Sequence, residues 1–103
     1  MLAGTLLILG CSDIEEDVPQ CIKDKIESLP EDDCPDGMDE YMFNGKIVYI
    51  FTMEENRCAD FGSMVYDEDC NELCFIGGIA SLSECEGVDF YDNATLVRTI
   101  WKR

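Results

Sequence analysis

The chain has 103 residues, with 23 acids against 7 bases, no histidine and a net charge of −16. One domain is the most such a length supports, and a field of that sign repels nucleic acid and anionic headgroups, which excludes nucleic-acid binding and leaves cationic partners, or solubility alone, as its use. Seven cysteines beside only three prolines and eight glycines describe a small stapled domain rather than a low-complexity polymer.

Met1 to Leu9 is almost wholly apolar, and Cys11 divides it from the acidic run Ser12-Asp13-Ile14-Glu15-Glu16-Asp17. The apolar stretch is too short to cross a bilayer, which takes about 20 helical residues, and has the length of a secretion-signal core. Ile8-Leu9-Gly10-Cys11 resembles the lipobox of bacterial lipoproteins, although Leu9 is bulkier than the usual residue there. The resemblance implies diacylglycerol on the Cys11 thiol and cleavage after Gly10, whose smallness the peptidase requires. Residues 1–10 are then a signal peptide, Cys11 is the lipidation site and the means of membrane attachment, and residues 11–18 are an acidic, solvated tether. Acidic runs in this place also resemble the surface-export signals of some lipoproteins, which implies the outer membrane and its exposed face. Nothing basic precedes Cys11, so the true start is expected upstream. Two or more acyl chains, at about 0.8 kcal/mol per buried CH₂, anchor durably.

With Cys11 lipidated, six cysteines remain: Cys21, Cys34, Cys58, Cys70, Cys74 and Cys85. Six can close three disulfides in an oxidising compartment, with connectivity open.

A single domain is expected over residues 19–103. Ile22, Ile26 and Leu29 recur at helical spacing, Pro19 suits a first turn and Pro30 ends the run, so residues 19–29 are predicted as a short amphipathic helix with Cys21 close to its apolar face. "EDDCPDG" at 31–37 is a loop. "DEYMFNGKIVYIF" reads as a β-hairpin, because Asn44-Gly45 is the favoured pair for a two-residue type I′ turn. Strands are predicted near 63–66 and 73–76 around an acidic turn, Gly77-Gly78 marks a further turn, and Glu84 to Gly87 reads as a polar loop. One helical turn over Asp89 to Asn93 leads into a last strand at 94–102. Helix first and antiparallel strands after it indicate an α+β fold, a short N-terminal helix packed on one face of a small antiparallel sheet, stapled by disulfides.

Tyr66-Asp67-Glu68-Asp69-Cys70-Asn71-Glu72-Leu73-Cys74, followed by a Gly-Gly-Ile, a Cys and a Phe, resembles the pattern of an uncharacterised family of small bacterial lipoproteins. The likeness extends to Cys21-Ile22, to Asn44-Gly45-Lys46 and to Ile100-Trp101-Lys102, and covers residues 20–102. Its members have no assigned activity, so the resemblance implies location and fold and no chemistry. Cys58-Ala59-Asp60 stands where that family carries adjacent cysteines, and Cys34 is extra; the resemblance implies that Cys34 takes the bond a cysteine at 59 would have made. Tyr66-x₃-Cys70-x₃-Cys74 also resembles a fragment of Kazal protease inhibitors, but Cys34 and Cys58 are too far apart for the inhibitory loop.

Catalytic signals are few. No serine lies in a nucleophile elbow, there is no histidine base, and Gly77-Gly78 lacks the Lys-Ser/Thr of a phosphate loop. No catalytic residue and no cofactor is therefore assigned. Asp67, Asp69 and Asn71 follow the opening of an EF-hand loop, but Leu73 and Gly78 stand where Gly and Glu belong; they are weak calcium candidates beside the plainer reading of a turn capped by its own side chains. Asp32, Asp33 and Asp36 fail similarly. Tyr41, Phe43, Tyr49 and Phe51 serve either a binding face or cross-strand packing. The expected function is that of a lipid-anchored, non-enzymatic binding or envelope surface module meeting a protein or cationic partner, with a Kazal-like inhibitor or a weak calcium-binding surface protein as alternatives.

Overall fold

A computed structural model describes residues 14–53 and 58–103. The signal peptide 1–10, Cys11 and the first residues of the expected tether lie outside the described residues. The elements are α1 (Gln20–Glu27), β1 (Gly37–Phe43), β2 (Lys46–Thr52), β3 (Gly62–Asp67), β4 (Glu72–Gly77), β5 (Glu84–Cys85), β6 (Val88–Asp89), α2 (Phe90–Asn93) and β7 (Ala94–Lys102). Strands β4-β3-β2-β1-β7 form one sheet in that order, antiparallel throughout, and β5 pairs with β6. The α+β class holds, with disulfides stapling it.

The hairpin between β1 and β2 turns where expected: Asn44 and Gly45 both have positive φ, 51° and 79°, and β1 and β2 pair residue for residue from Phe43↔Lys46 to Gly37↔Thr52. Helix α1 is slightly shorter than the predicted 19–29, and it buries Ile22 and Ile26. Pro19 stands at its N-cap, and the chain leaves through Ser28, whose N–H bonds back to the Asp24 carbonyl.

The helix covers one face of the sheet, as expected, and the other face is covered as well. Strand β2 explains why: Ile47 to Phe51 is apolar at every position, the mark of a central strand with two buried faces. Tyr49 packs with Val18, Ile22, Ile26, Met38, Ile100 and Trp101 on the α1 face, with Ile47 and Phe51 beside them. Val48 and Ile50 pack with Phe43, Val65, Ile76, Cys85 and Phe90 on the other. That second face is covered by the crossover. Strands β4 and β7 are opposite edges of the sheet, so residues 78–93 must traverse it. They do so as the β5–β6 hairpin and α2. The stretch read as a polar loop at Glu84 to Gly87 is in fact a second two-residue turn, with Glu86 and Gly87 at φ 51° and 86°. Asp89 then caps α2 by accepting the Asp92 N–H at 2.9 Å, and Phe90 enters the core with no exposure.

A correction concerns the tether. Over its described part, residues 14–18, it lies on the domain. Val18 is buried in the α1-face core and Ile14 packs against that core. Glu15 N–H donates to the Ile100 carbonyl of β7 at 3.1 Å, and Asp17 meets the Arg98 guanidinium at 2.9 Å. Two apolar residues spaced among the acids, and a base waiting on β7, outweigh the solvation of the run.

Candidate functional site

The six described cysteines form three bonds: Cys21–Cys70, Cys34–Cys58 and Cys74–Cys85. The first ties α1 to the turn between β3 and β4, the second ties the loop before β1 to the connection after β2, and the third ties edge strand β4 to β5 of the crossover. Each joins an element outside the meander to the meander or its loops. Cys34 closes on Cys58, the first of the two positions at which the resembled family carries adjacent cysteines. These sulfurs are structural, and none of the six is a thiol available for metal binding or nucleophilic attack.

The calcium candidates meet in the turn between β3 and β4. Asp67 Oδ1 accepts from the N–H groups of Asp69 and Asn71, both at 2.9 Å, and Oδ2 accepts from Asn71 Nδ2 at 3.0 Å. These bonds, Asn71 foremost, hold the Asp67 carboxyl below its ordinary pKa. This is the self-capped turn geometry, and Cys70 takes a positive φ of 64° within it. Among the described residues no group of three or more His, Cys, Asp or Glu side chains is placed to hold a metal. The Kazal-like fragment is likewise divided, since Cys70 leaves for α1 and Cys74 for β5.

The four aromatic residues of the hairpin are all used in packing. Phe43 and Tyr49 are buried on opposite faces, Tyr41 meets Phe90 edge-on at 5.3 Å, and Phe51 stands between Tyr66 and Trp101. Tyr49, Glu40 and Arg98 form a row across β2, β1 and β7. Arg98 Nε donates to Glu40 Oε1 at 3.0 Å, so the nearly buried Glu40 carboxylate has its counter-charge in place. Burial, then the charges of Glu40 and Glu68, push the Tyr49 hydroxyl from 10.0 up to about 12. The folded protein therefore holds this proton more tightly than the unfolded chain. Stability from Tyr49 is intact below pH 10 and lost as pH climbs toward 12, a decline of about 2–3 kcal/mol. Denaturant titrations of the parent and of Tyr49→Phe should diverge in that window, the variant declining less. Parallel curves would acquit Tyr49.

The crossover leaves part of the second face open. There a groove of about 630 Å³ runs between the crossover and the ends of β2, β3 and β4, within the usual range of small-ligand clefts. Ile50, Ser63 and Ile76 form its floor, and Phe61, Leu82 and Tyr91 its walls, with the Asp60 carboxylate at the rim. Glycine makes the narrow end possible: a Cβ at Gly62 would lie 2.6 Å from both the Gly78 nitrogen and the Phe75 ring. The Ser63 hydroxyl is already engaged, donating to the Met64 carbonyl at 2.9 Å and accepting the Phe51 N–H at 3.1 Å. Asp60 is the one charged group among the described lining residues. Such a lining offers apolar contact, free rims of Ser81 and Ser83, and one negative charge, the features of a surface that holds an apolar or cationic group. No motif in the sequence marks this groove. It arises where the ends of four distant segments meet, and only the close glycines at 62, 77 and 78 hinted at a tight approach.

Fold and site together define a small disulfide-stapled α+β domain, a five-stranded antiparallel sheet sandwiched between a helix and a crossover. Residues 24–103 match the model of a family described as a domain of unknown function, DUF6970, and the chain belongs to that family. No curated protein and no solved structure matches the chain.

Proposed function

We propose that the chain is a small lipoprotein of the bacterial cell envelope, anchored through lipid on Cys11, whose folded part is a non-enzymatic binding or surface module. One observation carries the reading. The chain has seven cysteines, and the six beyond Cys11 bond with one another. None is left within the chain for Cys11, which is also the cysteine that ends the apolar run of a lipobox-like sequence. Three disulfides suit an oxidising compartment, which agrees with export. The net charge of −16 and the Asp60 rim favour a cationic partner over an anionic one.

The test is metabolic labelling with a radioactive or clickable fatty acid, read beside the intact mass of the protein in the membrane fraction. The parent should carry label and the mass of its acyl chains. Cys11→Ala should carry neither and should move to the soluble fraction. Undiminished label in Cys11→Ala, or native protein without acyl mass, refutes the anchor.

A further inference from the structure

The two ends of the sheet are unlike. One holds the tight turns at Asn44–Gly45 and at 67–71. At the other, Gly37 pairs with both Thr52 and Lys102, and Gly62 pairs with Gly77. From Gly77 the chain enters a turn over 78–81, closed by Ser81 N–H to the Gly78 carbonyl and Leu82 N–H to the Gly77 carbonyl. Ile79 lies at the tip of this turn and is 86 % exposed, and Leu82 beside it is 50 % exposed. A single exposed aliphatic residue is ordinary on a protein surface. Its position relative to the chain's own N-terminal segment is what gives it meaning.

Asp17 meets Arg98, and Glu15 meets Ile100. Followed toward the N-terminus, the chain therefore advances along β7 toward Lys102, to the same end of the sheet as Ile79. Only Ser12 and Asp13 lie between Cys11 and Ile14, three residue steps with a reach of at most about 11 Å. The docked segment thus leaves little freedom between the domain and whatever Cys11 is attached to.

We infer that the sheet end bearing Ile79 faces the bilayer leaflet that holds the lipid of Cys11, and that Ile79 and Leu82 rest at its headgroup–acyl boundary; this rests on the lipid-anchor reading above. The charge of this end selects the leaflet chemistry. The Arg103 guanidinium donates to the carbonyls of Pro30 and Pro35 at 3.0 and 2.9 Å, which brings the acidic loop 31–36 to this end, where exposed Lys102 and Arg103 only partly offset its acids. Glu31, Asp32 and Asp60 are exposed. An end with this charge meets zwitterionic headgroups, whose ammonium groups face outward, and is repelled by anionic ones.

The acylated full-length protein, carrying Ile79→Trp, is reconstituted through its own lipid into phosphatidylcholine vesicles brominated on the acyl carbons nearest the headgroup. The matched control is Glu72→Trp, an exposed position at the far end of β4, and emission from buried Trp101 is subtracted using the parent. The Ile79→Trp signal should fall at least about twofold, as for a side chain seated in the interface, and the Glu72→Trp signal should stay unquenched. Replacing half of the lipid with phosphatidylglycerol at low salt should weaken the quenching. Vesicle-bound, acylated protein with no quenching of Ile79→Trp overturns the orientation and leaves the anchor standing, and so does equal quenching at both positions. Protein that proves to carry no acyl chain overturns both.

Discussion

Replacing Cys21 and Cys70 together by serine is expected to lower the stability of the domain by about 4 kcal/mol, the largest loss among the three disulfides. The bond closes a separation of 49 residues, against 24 for Cys34–Cys58 and 11 for Cys74–Cys85. A cross-link removes more freedom from the unfolded chain the longer the loop it closes, so the other two pairs should cost about 3.4 and 2.8 kcal/mol. Structure adds to the first. Helix α1 is only eight residues long, too short to persist without its packing, and Cys21 is its covalent tie to the sheet. Urea unfolding of the three double-serine variants checks the ranking. A Cys21/Cys70 variant that loses less than the Cys74/Cys85 variant would show that chain entropy does not set the order. Full reduction should unfold the domain, since the combined loss rivals the whole stability of about 5–15 kcal/mol typical of a native protein.

The second large effect is expected from Phe90→Ala. Phe90 has no exposed surface, and its ring lies 5.3 Å from Tyr41, 5.0 Å from Phe43 and 5.0 Å from Tyr91. Truncating a fully buried ring costs about 3–5 kcal/mol in transfer and cavity terms. It is also the residue by which α2 holds the second face, whereas β5 is held there by Cys85, buried in the same core and bonded to Cys74. Amide exchange in the variant should therefore quicken in α2 before it quickens in β2. Tyr91→Ala, at a neighbouring position 53 % exposed, should cost well under about 1.5 kcal/mol, the loss of its two edge-on ring contacts with Tyr41 and Phe90. Equal losses at the two positions would mean that α2 is not pinned by Phe90.

Local chemistry was readable in advance and long-range pairing was not. The Asn44-Gly45 turn could be placed because both residues accept positive φ, a property of two adjacent positions. Helix α1 could be placed from Ile22 and Ile26, one turn apart. The neighbour of β7 could not, because β7 lies beside β1, more than fifty residues earlier, and nothing in "ATLVRTIWK" names that partner. The cover on the second face does have a local signal: the unbroken apolar run of β2 calls for burial on both sides. The docking of residues 14–18 was hidden by its own charge, since Asp17 becomes a packing residue only through Arg98, 81 positions away. The groove lay furthest from the sequence, for its floor and walls come from four segments that meet only after the sheet has formed.

The Cys21–Cys70 bond has a mechanical consequence. A pull on the N-terminus first meets the hydrogen bond from Glu15 and the ion pair of Asp17, non-covalent holds that peel away one at a time and release slack. It then reaches Cys21, where the tension passes directly through sulfur to Cys70 and skips the entire intervening stretch of helix and hairpin. The protein thus behaves as a short elastic lead ending in a fixed stop, and the meander of β1 and β2 stays out of the line of force.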